Sequence, residues 1–129
     1  MAYLLDTHVL ASWVERRGIS DDLMVFIDEQ IRRQKAMVSS IAFWEIALLV
    51  KKGRLKVSDL QAWRQQVLDG SGIDLLEPTA ADMIDSTLLP DFHKDPFDRL
   101  LIAQAQRHQL TIVTRDSIIP RYAVQTFWR

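Results

Sequence analysis

The sequence predicts an α/β domain, a three-layer α/β/α sandwich around a mostly parallel sheet of four or five strands. Two observations carry that expectation. Short apolar runs of strand length alternate with longer stretches of helical periodicity, and the helical stretches are bounded by capping residues and glycines. No internal repeat, low-complexity tract or Gly/Ser-rich linker interrupts the alternation. Strands separated by helices pair in parallel, with helices covering both faces of the sheet.

Taken in order, Tyr3-Leu4-Leu5 is a short strand ending at Asp6. Thr7 to Arg16 reads as a helix stopped by Gly18, and Ser20 caps a second helix carrying Met24, Ile27 and Ile31 at helical spacing. Ala36 to Ser39 is the second strand, followed by a helix from Ile41 to Lys52 that stops at Gly53. Ser58 with Gln61 forms a capping box for a helix through Leu68, ended by Gly70. Ile73 to Leu76 is the third strand, and Thr79 starts a helix to about Leu88. Asp95-Pro96 opens another helix, since proline is favoured at the first helical position. Leu110 to Val113 is a fourth strand and Val124 to Phe127 a short fifth.

A length of 129 residues suits one domain over 1–129, and 48% hydrophobic with 26% charged residues is an ordinary globular composition. No apolar run approaches the ~18 residues of a membrane span. The N-terminal MAYLLDTH lacks a basic region before its apolar stretch, so a cytoplasmic protein is expected. The absence of cysteine excludes disulfides, thiol nucleophiles, zinc knuckles and iron–sulfur clusters. A net charge of −1 gives no global field for nucleic acid, so any such contact needs a local basic patch.

Ligands of parallel sheets bind beyond the carboxyl ends of the strands, and four acids belong to that edge. Asp6 directly follows strand one, and Asp116 lies three residues after Val113. Glu45 lies early in the helix after strand two, and Asp98 in the first turn of the helix before strand four. Each has a plainer role open to it. Asp6 caps a helix in one reading and Asp116 caps a turn; Asp98 complements a helix dipole. Asp98, however, continues the stripe of Ile102 and Ala105 that faces the sheet. Glu45 is the one polar residue in IAFWEIALLV, a pattern that predicts a buried helix. A buried carboxylate costs several kcal/mol unless it is paired, protonated or bound to a cation, so the choices are an arginine partner or an ion. Converging carboxylates need a counterion, and an all-oxygen set selects Mg²⁺ or Mn²⁺. The chemistry implied is phosphodiester hydrolysis.

The segments LLDTH at 4–8, SSIAFWEIA at 39–47, LPDFHKDPFDRLLIAQA at 89–105 and TIVTRD at 111–116 resemble the PIN-domain ribonucleases, most closely the VapC toxins of bacterial type II toxin–antitoxin modules. The resemblance covers nearly the whole chain. It implies a PIN-like fold, Asp6, Glu45, Asp98 and Asp116 as catalytic metal ligands, and Thr114 as a supporting hydroxyl. It also implies an RNA substrate, a homodimer, and a small antitoxin whose C-terminal segment wraps the toxin and blocks its acidic pocket.

Around those acids, Asp91 and Asp95 are expected outside the metal shell, with Asp95 as a helix cap. Arg99 contacts RNA or an acid in one reading and is a solvated surface residue in the other. His8 and His93 sit near the site in sequence, as RNA contacts or as ordinary hydrogen-bonded histidines. The cluster Lys51, Lys52, Arg54 and Lys56 suits phosphate contacts, or else complements the C-terminus of its helix. Trp13, Trp63 and Trp128 read as core or interface rather than as stacking platforms. Two rival functions stand beside the nuclease. A haloacid-dehalogenase-like phosphatase needs a second Asp at the position occupied by His8, and a non-catalytic binding module has no use for the intact acid set.

Overall fold

The computed structural model describes residues 1–129. Five strands, β1 (Tyr3–Leu5), β2 (Ala36–Ser39), β3 (Asp74–Leu76), β4 (Thr111–Val113) and β5 (Gln125–Phe127), form one sheet. Its order is β3-β2-β1-β4-β5, and every pairing is parallel. Six α-helices complete the fold: α1 (Thr7–Glu15), α2 (Asp21–Arg32), α3 (Ile41–Lys51), α4 (Leu60–Ser71), α5 (Ala80–Thr87) and α6 (Pro96–His108). No helix is long and apolar enough to cross a membrane.

Strand alternation builds the layers. Leu4 and Leu5 point to opposite faces of the central strand and are 0% and 1% exposed, so both faces are covered. Leu5, Val38 and Val113 join Val9, Leu23, Ile27 and Ile46 in one core. Leu4 and Ile112 join Ile102, Ala105 and Ile119 in the other, against α6.

The register places the future site. Leu5 is level with Val38 on one side and with Val113 on the other. The carboxyl ends of β1, β2 and β4 are therefore flush, and the Asp6 amide extends the ladder by donating to the Val113 carbonyl at 3.2 Å.

Local chemistry sets the helix boundaries. Ser20 caps α2, and Thr79 with Asp82 forms a reciprocal capping box at α5. Asp95 caps α6, with Pro96 in its first turn. The start of α4 differs from the sequence expectation. Asp59, not Ser58, is the cap, and its carboxylate accepts from the Ala62 amide at 3.0 Å. Gln61 is thereby released from a capping box and accepts from Arg64 instead. The helix runs past Gly70 to Ser71, because the left-handed conformation that closes it (φ 78°) falls on Gly72.

α3 also departs from expectation. Apolar all round, it buries only Ala42 and Ile46, and Trp44 is 61% exposed. The chain supplies a cover for the side facing the sheet, while Trp44, largely open to solvent, packs edge-on with Phe97 at 5.2 Å.

Candidate active site

Each acid reaches the carboxyl edge by its own local route. Asp6 ends β1 in extended conformation and caps α1, its Oδ1 accepting from the Val9 amide at 2.8 Å. Asp116 follows β4, and its Oδ1 accepts from the amides of Ile118 (2.7 Å) and Ile119 (3.3 Å). The capping readings of both residues are therefore correct, and capping uses only one oxygen of each carboxylate; the other oxygen of Asp116 meets His93. Asp98 sits in the first turn of α6, on the stripe of Ile102 and Ala105, which are 0% and 1% exposed.

Asp6, Asp98 and Asp116 line one cavity of about 620 Å³, together with His8, His93 and Asp95. Glu45 is not part of that wall, but its charge acts on Asp98. Its Oε1 is sealed from solvent and has no hydrogen-bond partner. No arginine or lysine pairs with it, so the buried-arginine alternative is absent.

The electrostatics follow from crowding with little compensation. Burial raises the Asp6 carboxyl above its ordinary range, against the pull of the Thr114 hydroxyl and the Val9 amide. Burial likewise raises Glu45; the Thr7 hydroxyl opposes it, and the charges of Asp95 and Asp6 add to it. Asp98 is pushed up to about 7, first by burial and then by Asp95, with His93 working in the other direction. Asp116 behaves oppositely. Burial disfavours its charge, but hydrogen bonds from His93 and the Ile118 and Ile119 amides outweigh burial and hold it below its usual value.

His93, expected near the site, proves to be a hydrogen-bonded histidine whose partners the sequence did not reveal. Its Nε2 lies 3.0 Å from Asp98 Oδ2 and 3.0 Å from Asp116 Oδ2, and the three side chains form a cluster of suitable size for one ion. The Asp95 amide donates to Nδ1 at 3.3 Å, which leaves Nε2 as the nitrogen that donates towards both carboxylates. The loop that carries His93 is fixed from below. Tyr122 Oη accepts from the His93 amide at 2.7 Å and donates to the Pro90 carbonyl at 2.7 Å.

Arg99 is not a solvated surface residue. It pairs with an acid, Asp91, at 3.7 Å, and its guanidinium donates to the carbonyls of Ser86, Leu89, Pro90 and His93. It clamps the loop between α5 and α6, and its side chain is 13% exposed. Asp95 caps α6 as expected, yet it also lines the cavity. The side chain of Asp91 is fully exposed. Thr114 Oγ1 accepts from the Asp116 amide at 3.0 Å, shaping the turn that presents this acid. Lys51, the last residue of α3, and Lys52, Arg54 and Lys56 just after it are all exposed. Trp13 is core, its Nε1 donating to Asp28, and Trp63 packs on Phe43. Trp128, by contrast, lines the acidic cavity and is 40% exposed.

Known proteins agree with this architecture. The chain is similar in structure to VapBC2 from Rickettsia felis bound to a DNA fragment from their promoter, at 18% identity and a TM-score of 0.74, covering 100% of both chains. It is also similar to FitAcB from Neisseria gonorrhoeae, at 23% identity and a TM-score of 0.64, covering 97% of this chain and 96% of that one. DNA-bound VapBC from Salmonella typhimurium matches at 14% identity and a TM-score of 0.70, covering 98% and 97%. No curated protein matches the sequence. The model of the PIN domain family matches residues 3–125, nearly the whole sheet and every helix, and the chain belongs to that family.

Proposed function

We propose that the protein is a metal-dependent endoribonuclease that acts in the cytoplasm as the toxin of a type II toxin–antitoxin pair. The observation that carries this reading is the orphaned, buried Oε1 of Glu45, close to a cavity that Asp6, Asp98 and Asp116 line together. A folded chain tolerates such groups only where something absent from the chain completes them. The donor set of carboxylate oxygens fits a hard divalent cation. Asp6, Glu45, Asp98 and Asp116 would hold it. When Mg²⁺ or Mn²⁺ is bound, the chemistry it supplies is activation of a water and neutralisation of charge on the scissile phosphate.

The protein's own residues do the positioning. Backbone amides fix one oxygen each of Asp6 and Asp116, so the second oxygens are oriented without a metal. Thr114 supports the Asp116 turn, and the His93 N–H draws Asp98 and Asp116 together. Lys51, Lys52 and Arg54, exposed beside α3, supply sequence-independent phosphate contacts to RNA. The uncovered apolar surfaces of α3 and α5, with Trp44, Met83, Ile84 and Leu88 exposed, favour assembly as a homodimer and with a small antitoxin.

Incubating the purified protein with total RNA, with and without Mg²⁺ or Mn²⁺, tests the activity. Cleavage that vanishes with chelator and returns with either ion is the expected result; equal or better cleavage of matched DNA defeats the substrate assignment. Expression alone should arrest growth, and co-expression of the neighbouring small open reading frame should restore it. A chain that is harmless alone and inert on RNA would instead be a non-catalytic binding module.

A further inference from the structure

The cavity beside the acids has a second chemical character. Its wall contains one lysine or arginine, Arg115, and one large aromatic ring, Trp128. The two are neighbours because β4 and β5 pair in parallel with Val113 level with Phe127, so both residues emerge from the same strand ends. The Arg115 guanidinium carbon lies 6.0 Å from the centre of the Trp128 ring, within cation–π range. Arg115 makes no ion pair within the chain, although Asp116 adjoins it. Val9, Ile19 and Ile118 provide apolar wall in the same cavity.

The other tryptophans show why this one differs. Trp13 is 7% exposed with its N–H engaged by Asp28, and Trp63 lies edge-on to Phe43 at 5.8 Å. Trp44 is exposed but lies outside this cavity. Trp128 alone combines a half-open ring, a stacked cation and a position on the wall that holds the acids.

We infer that Trp128 and Arg115 form a nucleotide subsite, in which an unpaired base flanking the cleaved bond stacks on the indole while its phosphate meets the guanidinium. This inference rests on the ribonuclease reading and sharpens it, because it requires a single-stranded segment at the site. The four acids of the cavity repel an RNA backbone, and a stacking surface with an unpaired cation beside it counters that repulsion. Every base has a π-face, so the subsite retains a base without selecting its identity.

The test is fluorescence anisotropy of a labelled single-stranded RNA decamer, with Mg²⁺ present, in the uncleaving Asp98→Asn background. Trp128→Leu and Arg115→Gln should each weaken binding roughly tenfold, with Trp128→Phe affected less. Melting temperatures should stay near that of the parent, since both side chains are substantially exposed. A decamer lacking bases at successive positions should show one position at which Trp128→Leu makes no further difference. Unchanged affinity in Trp128→Leu overturns the subsite, as does a loss that appears equally on fully abasic RNA. Because binding is read without turnover, the two readings fail separately. Cleavage by the wild-type chain with no effect of Trp128 removes the subsite alone; a Trp128-dependent decamer affinity with no cleavage removes the nuclease alone.

Discussion

Two regions of the molecule bury aspartates, and they treat them in opposite ways. Asp82, in the first turn of α5 and facing Arg107 of α6, is 0% exposed, yet it is fully engaged: it accepts from the Thr79 amide at 2.9 Å and from Arg107 Nε at 2.7 Å. Burial alone would raise it, but those bonds prevail and hold its carboxyl below the usual range. At the carboxyl edge of the sheet, Asp6, Glu45 and Asp98 are raised instead, because burial there is met by further carboxylates and too few donors. Both burial and partners separate the two regions: Asp82, though shielded from solvent, lies less deep and is met by donors, whereas Asp6, Glu45 and Asp98 are set more deeply and among other carboxylates. An acid whose partners come from its own chain is structural, and an acid left waiting for a partner marks a place where something binds.

The largest effect expected from this contrast is on turnover. Asp98→Asn should reduce RNA cleavage by at least about a hundredfold, whereas Asp82→Asn should leave the rate of the folded fraction near wild type. Equal losses in the two variants would erase the distinction.

Stability should move the other way. Asp82→Asn strips a buried, hydrogen-bonded carboxylate of its ion pair and should cost about 2 kcal/mol. Asp98→Asn in chelator at pH 8 should keep or raise the melting temperature, by an amount on the order of 2 kcal/mol or less. Thermal unfolding of both variants in chelator measures this, and a clearly destabilised Asp98→Asn would make it an ordinary helix-start residue.

pH sharpens the same comparison. Asp98 in the folded protein titrates at about 7, above its ordinary 3.8. Its protonated form is the one favoured by folding, so its contribution is fully present below about pH 4 and is lost as pH rises through about 7. Asp82 has the reverse sign: its contribution is present above the ordinary carboxyl range and is lost on acidification. Metal-free wild-type protein should therefore lose stability from pH 5 to pH 8, Asp98→Asn should flatten that slope, and Mg²⁺ should abolish it. A metal-free protein most stable at pH 8 would contradict the raised acids.

The smallest effect concerns His93. Its replacement by Ala removes one N–H shared by Asp98 and Asp116 and should weaken Mn²⁺ binding by a few-fold, with Gln, which retains a donor, closer to wild type. Isothermal titration with Mn²⁺ separates the two variants; tighter binding in the Ala variant would make His93 a competitor of the ion rather than a positioner of its ligands.

Much of this organisation could be read from residues alone. Five strands and six helices follow from periodicities that local sequence expresses directly, and Asp6, Asp98 and Asp116 follow from their places at strand and helix ends. The failures share a cause. Apolar periodicity on α3 reports what the helix avoids, not whether this chain supplies the cover, so Trp44 looked buried and is open. The choice between Ser58 and Asp59 as a cap turns on one residue of loop path. His93, Arg99 and Tyr122 meet through an irregular segment whose course is written in long-range hydrogen bonds, and no spacing rule encodes those.

The flush register of β1 and β4 has a consequence for the order of events in the chain's life. Leu5 and Val113 are partners in space but separated by nearly the whole chain, so Asp6 and Asp116 cannot meet until everything between them has been made and folded. During synthesis, the amino-terminal half exposes Asp6 and Glu45 without the residues that complete them. On the proposed reading, the growing polypeptide lacks the full acid set until β4 pairs with β1, the last step to bring Asp116 beside Asp6.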